Sequence, residues 1–174
     1  MLMGDLVRLR AIEPWDSPLI YDWLNDAEVT RWMTGTHPLS LMHIEQRAAS
    51  RPRNSYERMQ LGIVALETDE LIGVGALLDA EPETGDAELS LYIGDRSCWG
   101  RGYATDALRV LCSYGFDEMR LHRISLWVVA ENTAAIRVYE KVGFVREGVR
   151  REAFRRGGKW HDFVLMGLLE GELR

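Results

Sequence analysis

Three groups of residues in this sequence have types and spacings that suit chemistry. Trp99-Gly100-Arg101-Gly102-Tyr103-Ala104 sets two glycines one residue apart between a strand-like and a helix-like stretch. Small residues let the backbone turn tightly, so several N–H groups converge on one anion while the helix N-terminus adds positive potential. Such a loop can cradle a pyrophosphate, although an ordinary glycine-containing turn has the same composition. It lacks the lysine of a G-x-x-x-x-G-K-[ST] loop, and Thr105 stands where a G-x-G-x-x-G fingerprint has its third glycine. Asn132 and Tyr139 are seven residues apart, so on a helix they share a face at about 10 Å separation. Taken alone, Tyr139 reads as a packing aromatic with its hydroxyl at the surface. Glu88 alternates with Leu89 on a strand pattern; it can serve as a base through a water, or simply face solvent. Asp162, beside His161, is a second carboxylate candidate. Cys98 adjoins the loop but has no evident His–acid partner, so covalent catalysis is not expected of it.

The elements that must position these groups follow from periodicity. Leu6 to Ile12 reads as a first strand. Asp16 or Ser17 can cap a helix through Leu24, with Pro18 in its first turn and Leu19, Ile20, Trp23 and Leu24 on an apolar side. Ser40 caps a second helix towards Arg51. Met59–Leu66 and Leu71–Leu78 form a hairpin about Glu67-Thr68-Asp69-Glu70. Ala87 to Ile93 is a strand with Ala87, Leu89, Leu91 and Ile93 on one face and Glu88, Ser90 and Tyr92 on the other. The glycine loop then opens a helix from about Ala104 to Met119, and Arg123 to Ala130 is a buried strand. Asn132 to Val142 is a helix stopped by Gly143, and Phe144–Phe154 and Trp160–Leu169 are joined by Arg156-Gly157-Gly158-Lys159. Seven strands and four helices in this order predict an α/β (α+β) layered fold around one sheet.

The 174 residues fit one domain, 1–174, with no repeat or Pro/Gly/Ser linker dividing it. Formal net charge is −6, which speaks against nucleic acid as a partner and mildly favours cationic ones, amines included. Two cysteines make no disulfide framework, and His37, His43, His122 and His161 have no metal-ligand spacing, so no metal site is expected. No basic n-region with an apolar segment opens the sequence, and no apolar run approaches the ~20 residues of a membrane helix. The expectation is a cytoplasmic protein without a membrane partner. Arg146, Arg150, Arg151, Arg155, Arg156 and Lys159 cluster near the last hairpin, partly offset by Glu147 and Glu152, which suits an outer face of alternating charge.

Trp99 to Ala107 (WGRGYATDA) resembles the acetyl-CoA pyrophosphate loop of the GNAT superfamily of N-acetyltransferases, particularly its RimJ/RimL-type branch. Asn132, Ala135, Tyr139, Gly143 and Phe144 supply the second half of that pattern, N-x-x-A-x-x-x-Y-x-x-x-G-F. Asp22-Trp23-Leu24-Asn25-Asp26, Ala87-Glu88-Leu89, Glu147-Gly148-Val149-Arg150 and Gly158-Lys159-Trp160-His161-Asp162 extend the resemblance along nearly the whole chain. Ala135 departs from the Ser of many relatives. The resemblance implies a single GNAT-type domain with a mixed, mostly antiparallel seven-stranded sheet flanked by about four helices. It implies that the amides of Gly100, Arg101, Gly102, Tyr103, Ala104 and Thr105 bind the pyrophosphate of acetyl-CoA. Tyr92, Ile93 and Gly94 would pair their backbone with the pantetheine arm in a splay between two parallel strands. Asn132 would bond the arm, Tyr139 would act as general acid on the sulfur, and Glu88 as base.

The implied reaction is direct attack of a neutral amine on the thioester. At pH 7 about one lysine-like amine in two thousand is neutral, against roughly a tenth of α-amines near pKa ~8, so a base matters most for polyamines and lysines. The branch resemblance favours a protein or peptide N-terminal α-amine as acceptor and makes a homodimer plausible. Alternatives are a small-molecule amine (polyamine, amino acid or antibiotic) and a non-catalytic CoA-binding sensor. Trp32 and Met33 fall where an acceptor pocket would be bordered.

Overall fold

The computed structural model describes residues 2–35 and 37–174. In chain order the elements are β1 (Val7–Ala11), α1 (Ser17–Asn25), α2 (Leu41–Ala49), β2 (Arg58–Ala65), β3 (Leu71–Glu81), β4 (Asp86–Ile93), α3 (Tyr103–Asp117), β5 (Arg123–Val129), α4 (Thr133–Val142), β6 (Val145–Arg156) and β7 (Lys159–Leu169). Short 3₁₀ turns at Pro14–Asp16 and Arg96–Cys98 precede α1 and α3. The strands form one seven-stranded sheet in the order β1-β2-β3-β4-β5-β7-β6. Every pairing is antiparallel except β4 with β5, so the expected mixed, mostly antiparallel sheet with four helices is present.

Alternation along the strands supplies two apolar faces, and helices cover both. Leu89 and the α3 residues Ala107, Leu108, Leu111, Cys112 and Phe116 share the larger core with Ile124, Leu126 and Met166. Their i, i+1, i+4, i+5 spacing makes the stripe that docks α3, and fully burying each leucine contributes about 1.5–3 kcal/mol. On the opposite face Ile20 and Trp23 of α1 and Ile44 of α2 pack with Val64, Leu71, Val74 and Tyr92. Leu19, expected among the apolar residues of α1, is 44% exposed: the helix buries a narrower stripe through Ile20 and Trp23. β3 runs three residues beyond the expected Leu78, past a register shift where Asp79 takes φ 52°.

Asp106 ties the N-terminal strand to α3. Its carboxylate, in the first turn of the helix and 7% exposed, accepts hydrogen bonds from the backbone N–H groups of Asp5 (3.2 Å), Leu6 (2.7 Å) and Val7 (2.9 Å). The helix N-terminus favours a negative charge there. Gly4 is required alongside, since a Cβ at that position would lie 2.4 Å from Asp106 Oδ2.

Candidate active site

The parallel ladder between β4 and β5 is short. It joins Asp86 with Arg123, Ala87 with Ile124 and Glu88 with Ser125, and stops there. Beyond Glu88 the two strands diverge, and a cavity of about 1130 Å³ opens between them and reaches both faces of the sheet. On the α3 and α4 side its lining includes Leu91, Ile93, the glycine loop, Asn132, Ala135 and Tyr139. On the α1 and α2 side it includes Glu88, Ser90, Tyr92, Arg47 and Arg51. The β4 alternation thus divides one passage into two halves, as the strand pattern requires.

At one end of the passage lies the glycine loop. Gly100 has φ +73° and Gly102 φ +90°, a region in which an L side chain costs about 1–2 kcal/mol. A Cβ at Gly100 would meet nothing within 4 Å, so the loop is open at that position. Gly102 caps α3 and no side chain caps that end, which leaves first-turn amides for an anion. Glu67 braces the loop by accepting from Arg101 (3.1 Å) and from the Tyr103 hydroxyl (3.2 Å). Trp99 donates its indole N–H to the Ile93 carbonyl at 2.9 Å, pinning the loop to the end of β4. An open anion cradle leading into a strand splay fits a pyrophosphate followed by a narrow amide-bearing arm.

Two expected contacts need correction. The Gly94 N–H already donates to Ile72 O at 2.8 Å, across β3, so it is turned from the splay. Strand alternation then leaves Ile93, with Leu91, facing the gap, while the Tyr92 backbone points to β3. Gly94 matters for packing instead. A Cβ there would lie 2.0 Å from Trp23, so the glycine admits the Trp23 ring against the end of β4. The second correction is Asp162. Its Oδ1 accepts the Glu152 N–H at 2.8 Å at the irregularity of β6, where Glu152 takes φ 51°. It therefore holds a bulge, and it is not among the cavity-lining residues. His161 likewise bonds Glu131 at 2.8 Å and stacks edge-on with Trp32 at 5.6 Å.

Asn132 is the N-cap of α4, its Oδ1 accepting from Ala135 N–H at 3.4 Å, so its amide group is left to donate. Seven residues on, Tyr139 lines the same passage. Gly143, at φ +117°, ends α4, and Phe144 returns its N–H to Tyr139 O at 3.1 Å. The Phe144 ring then packs edge-on against Tyr139 at 5.8 Å. That explains the spacing of the N…Y…GF pattern: it caps the helix, closes it and fixes the tyrosine ring. The hydroxyl makes no hydrogen bond among the described residues, and burial pushes its pKa up to about 12. Glu88, on the opposite half, is raised by burial, then by Asp79 and Asp86. Burial, then Asp95, raises the Cys98 thiol, away from the thiolate a nucleophile needs.

Sequence reasoning missed Glu67, Asp106 and the Arg47–Arg51 pair as parts of this architecture. The arginine pair is visible as a four-residue spacing, with Arg47 in the last turn of α2 and Arg51 just beyond it; Glu67 lies in a hairpin turn with no local signal of its distant partners.

Fold and passage together define an enzyme that presents an acyl-CoA to an acceptor through a gap in a sheet. The chain belongs to the GNAT acetyltransferase family, whose Acetyltransferase (GNAT) domain pattern matches residues 7–145. It is 39% identical over 165 residues to YnaD, an uncharacterized N-acetyltransferase of Bacillus subtilis, covering 94% of each chain. With an uncharacterized N-acetyltransferase of Bacillus licheniformis it shares 30% identity over 173 residues, 98% of this chain and 97% of that protein. The crystal structure of spermidine N-acetyltransferase from Vibrio cholerae in complex with CoA and spermine superposes with a TM-score of 0.88 at 25% identity, covering 97% of this chain and 98% of that one. The protein is accordingly an acetyl-CoA-dependent N-acetyltransferase whose acceptor is an amine. No helix among the described residues is long and apolar enough to cross a membrane.

Proposed function

We propose that the whole chain, 1–174, works as one RimJ/RimL-type N-acetyltransferase domain acting on a protein or peptide N-terminal α-amine. The observation carrying this reading is the charge of the acceptor half. Glu28 and Glu88 line the cavity together with Arg31, Arg47, Arg51 and Arg150, a balance that suits an acceptor with one amine better than a polycation. An α-amine also needs the least help to lose its proton.

Acetyl-CoA brings the thioester carbon that the amine nitrogen attacks, so that an N–C bond forms and the C–S bond breaks. The amides of Gly100 through Thr105 hold the pyrophosphate, the Asn132 amide donates to the arm, and Glu88 takes the surplus amine proton through a water. Tyr139 donates to the sulfur as charge develops. At about 12 its phenol is a weaker acid than a thiol near ~8.5, so its strength is a permanently protonated donor rather than an easily lost proton.

Two expected outcomes follow. Gly100→Val weakens acetyl-CoA binding at least about 10-fold by calorimetry, because the side chain fills the cradle, and costs about 1–2 kcal/mol in backbone strain. Unchanged affinity would place the pyrophosphate elsewhere. Glu88 works only when ionised, so wild-type kcat/KM falls as pH drops through its raised pKa; Glu88→Gln lowers the plateau about 10²-fold and removes that limb. The folded state holds this proton more tightly than the unfolded chain, so the group also withdraws stability as pH rises through its folded pKa. A pH–rate profile retaining the acidic limb in Glu88→Gln would assign the base to another group.

A small-molecule polyamine is the second reading, supported by the likeness to spermidine N-acetyltransferase. A free-thiol assay with acetyl-CoA, comparing serine-led N-terminal peptides with spermidine, decides between them. Turnover confined to peptides supports the first reading, and turnover confined to spermidine overturns it.

A further inference from the structure

In the acceptor half a half-buried arginine has one guanidinium nitrogen buried without a partner among the described residues. Arg51 follows α2 and lines the cavity together with Arg47, one turn earlier, and with Tyr92 and Gln60. Its Nη1 is buried and makes no hydrogen bond among the described residues. The neighbouring carboxylate, Asp16, is already committed: Arg10 donates to it at 2.7 and 2.8 Å, and the Glu13 N–H at 2.8 Å. Burial and the adjacent Arg47 both press the Arg51 guanidinium towards neutrality, which marks the position as electrostatically costly without a ligand. The Tyr92 hydroxyl lies in the field of Arg51 and Arg47, which oppose the burial that pushes its pKa up to about 12. Two neighbouring like charges repel, and a buried donor left without a partner is costly. An anion bound between them removes both penalties, and a guanidinium is the side chain best shaped to grip a carboxylate.

Building on the proposed acceptor reading, we propose that Arg51, with Arg47 and the Tyr92 hydroxyl, is a carboxylate-binding subsite, so that the acceptor is a primary amine that also carries a carboxylate. That carboxylate can belong to a free amino acid or to an acidic side chain near a peptide N-terminus. The subsite sets specificity and takes no part in proton transfer.

The test uses matched acid and amide acceptors with the full-length protein: L-alanine against L-alaninamide, and Ser-Asp-Ala-amide against Ser-Asn-Ala-amide, with spermidine as a cationic control. Each is titrated calorimetrically into the protein saturated with CoA, and assayed for thiol release with acetyl-CoA. We expect one acid member to bind about 10- to 100-fold more tightly than its amide, and the pair that shows this identifies the source. Arg51→Gln should collapse that ratio to near one through KM rather than kcat, and Arg51→Lys should restore part of it. Equal binding of acid and amide, binding of neither, a ratio unmoved in Arg51→Gln, or preference for spermidine would each overturn the subsite. Turnover of acids and amides alike would refute the subsite and leave the acetyltransferase reading standing. Arg51-dependent acid binding without thiol release would do the reverse.

Discussion

Replacing Tyr139 with Phe lowers kcat about 10²-fold and leaves acetyl-CoA affinity within about twofold, since the change removes one donor from the sulfur and leaves the packing intact. The ring keeps its edge-on contact with Phe144, so folding is not at issue. The loss is also flat with pH. Burial holds the hydroxyl pKa at about 12, so the group stays protonated from about pH 6 to 10 and no titration of Tyr139 enters that window. Steady-state turnover of wild type and Tyr139→Phe on a proven acceptor across this range is the check. Equal turnover at every pH would remove Tyr139 from the chemistry and return it to packing.

The largest effect on stability is expected from Asp106→Ala. Three backbone donors lose a charged acceptor at once, and part of the site cannot be reached by water. Such a loss costs about 3–4 kcal/mol, or a fall in Tm of about 6–16 °C for a protein of this size. Asp106→Asn retains an acceptor and should lose roughly a third as much. Thermal unfolding followed by circular dichroism measures both. A shift below about 2 °C for the alanine variant would show that β1 is anchored by its sheet pairing with β2 rather than through α3.

The legible parts of this protein are those whose physics is local in the chain. Two glycines at positive φ, a helix start and an open cradle are neighbours in sequence, so Trp99 to Thr105 could be read as one device. The same holds for Asn132, Tyr139, Gly143 and Phe144, which cap, line and close a single helix. The β4 alternation is also local, and it assigned Glu88 and Leu89 to opposite halves of the passage. Arg51, by contrast, acquires its meaning from Asp16 being taken by Arg10, a fact that needs three separated segments folded together. Gly94 reads as one more backbone donor until Trp23 is found above it. Asp162 shows the opposite hazard, a carboxylate beside a histidine whose oxygen is used by the irregular neighbouring strand. Side chains engaged by backbone irregularities are invisible to spacing, and these were the places where expectation and structure parted.

This passage delivers an acetyl group from acetyl-CoA to an amine nitrogen. The most direct test is the stoichiometry of a single reaction mixture: protein, acetyl-CoA and an amine panel, with free thiol and N-acetylated product quantified together. We predict one thiol released per acetylated amine for at least one acceptor, at a rate proportional to enzyme. Folded protein that binds acetyl-CoA but releases no thiol above the buffer rate with any amine would show that the passage does not carry acetyl transfer.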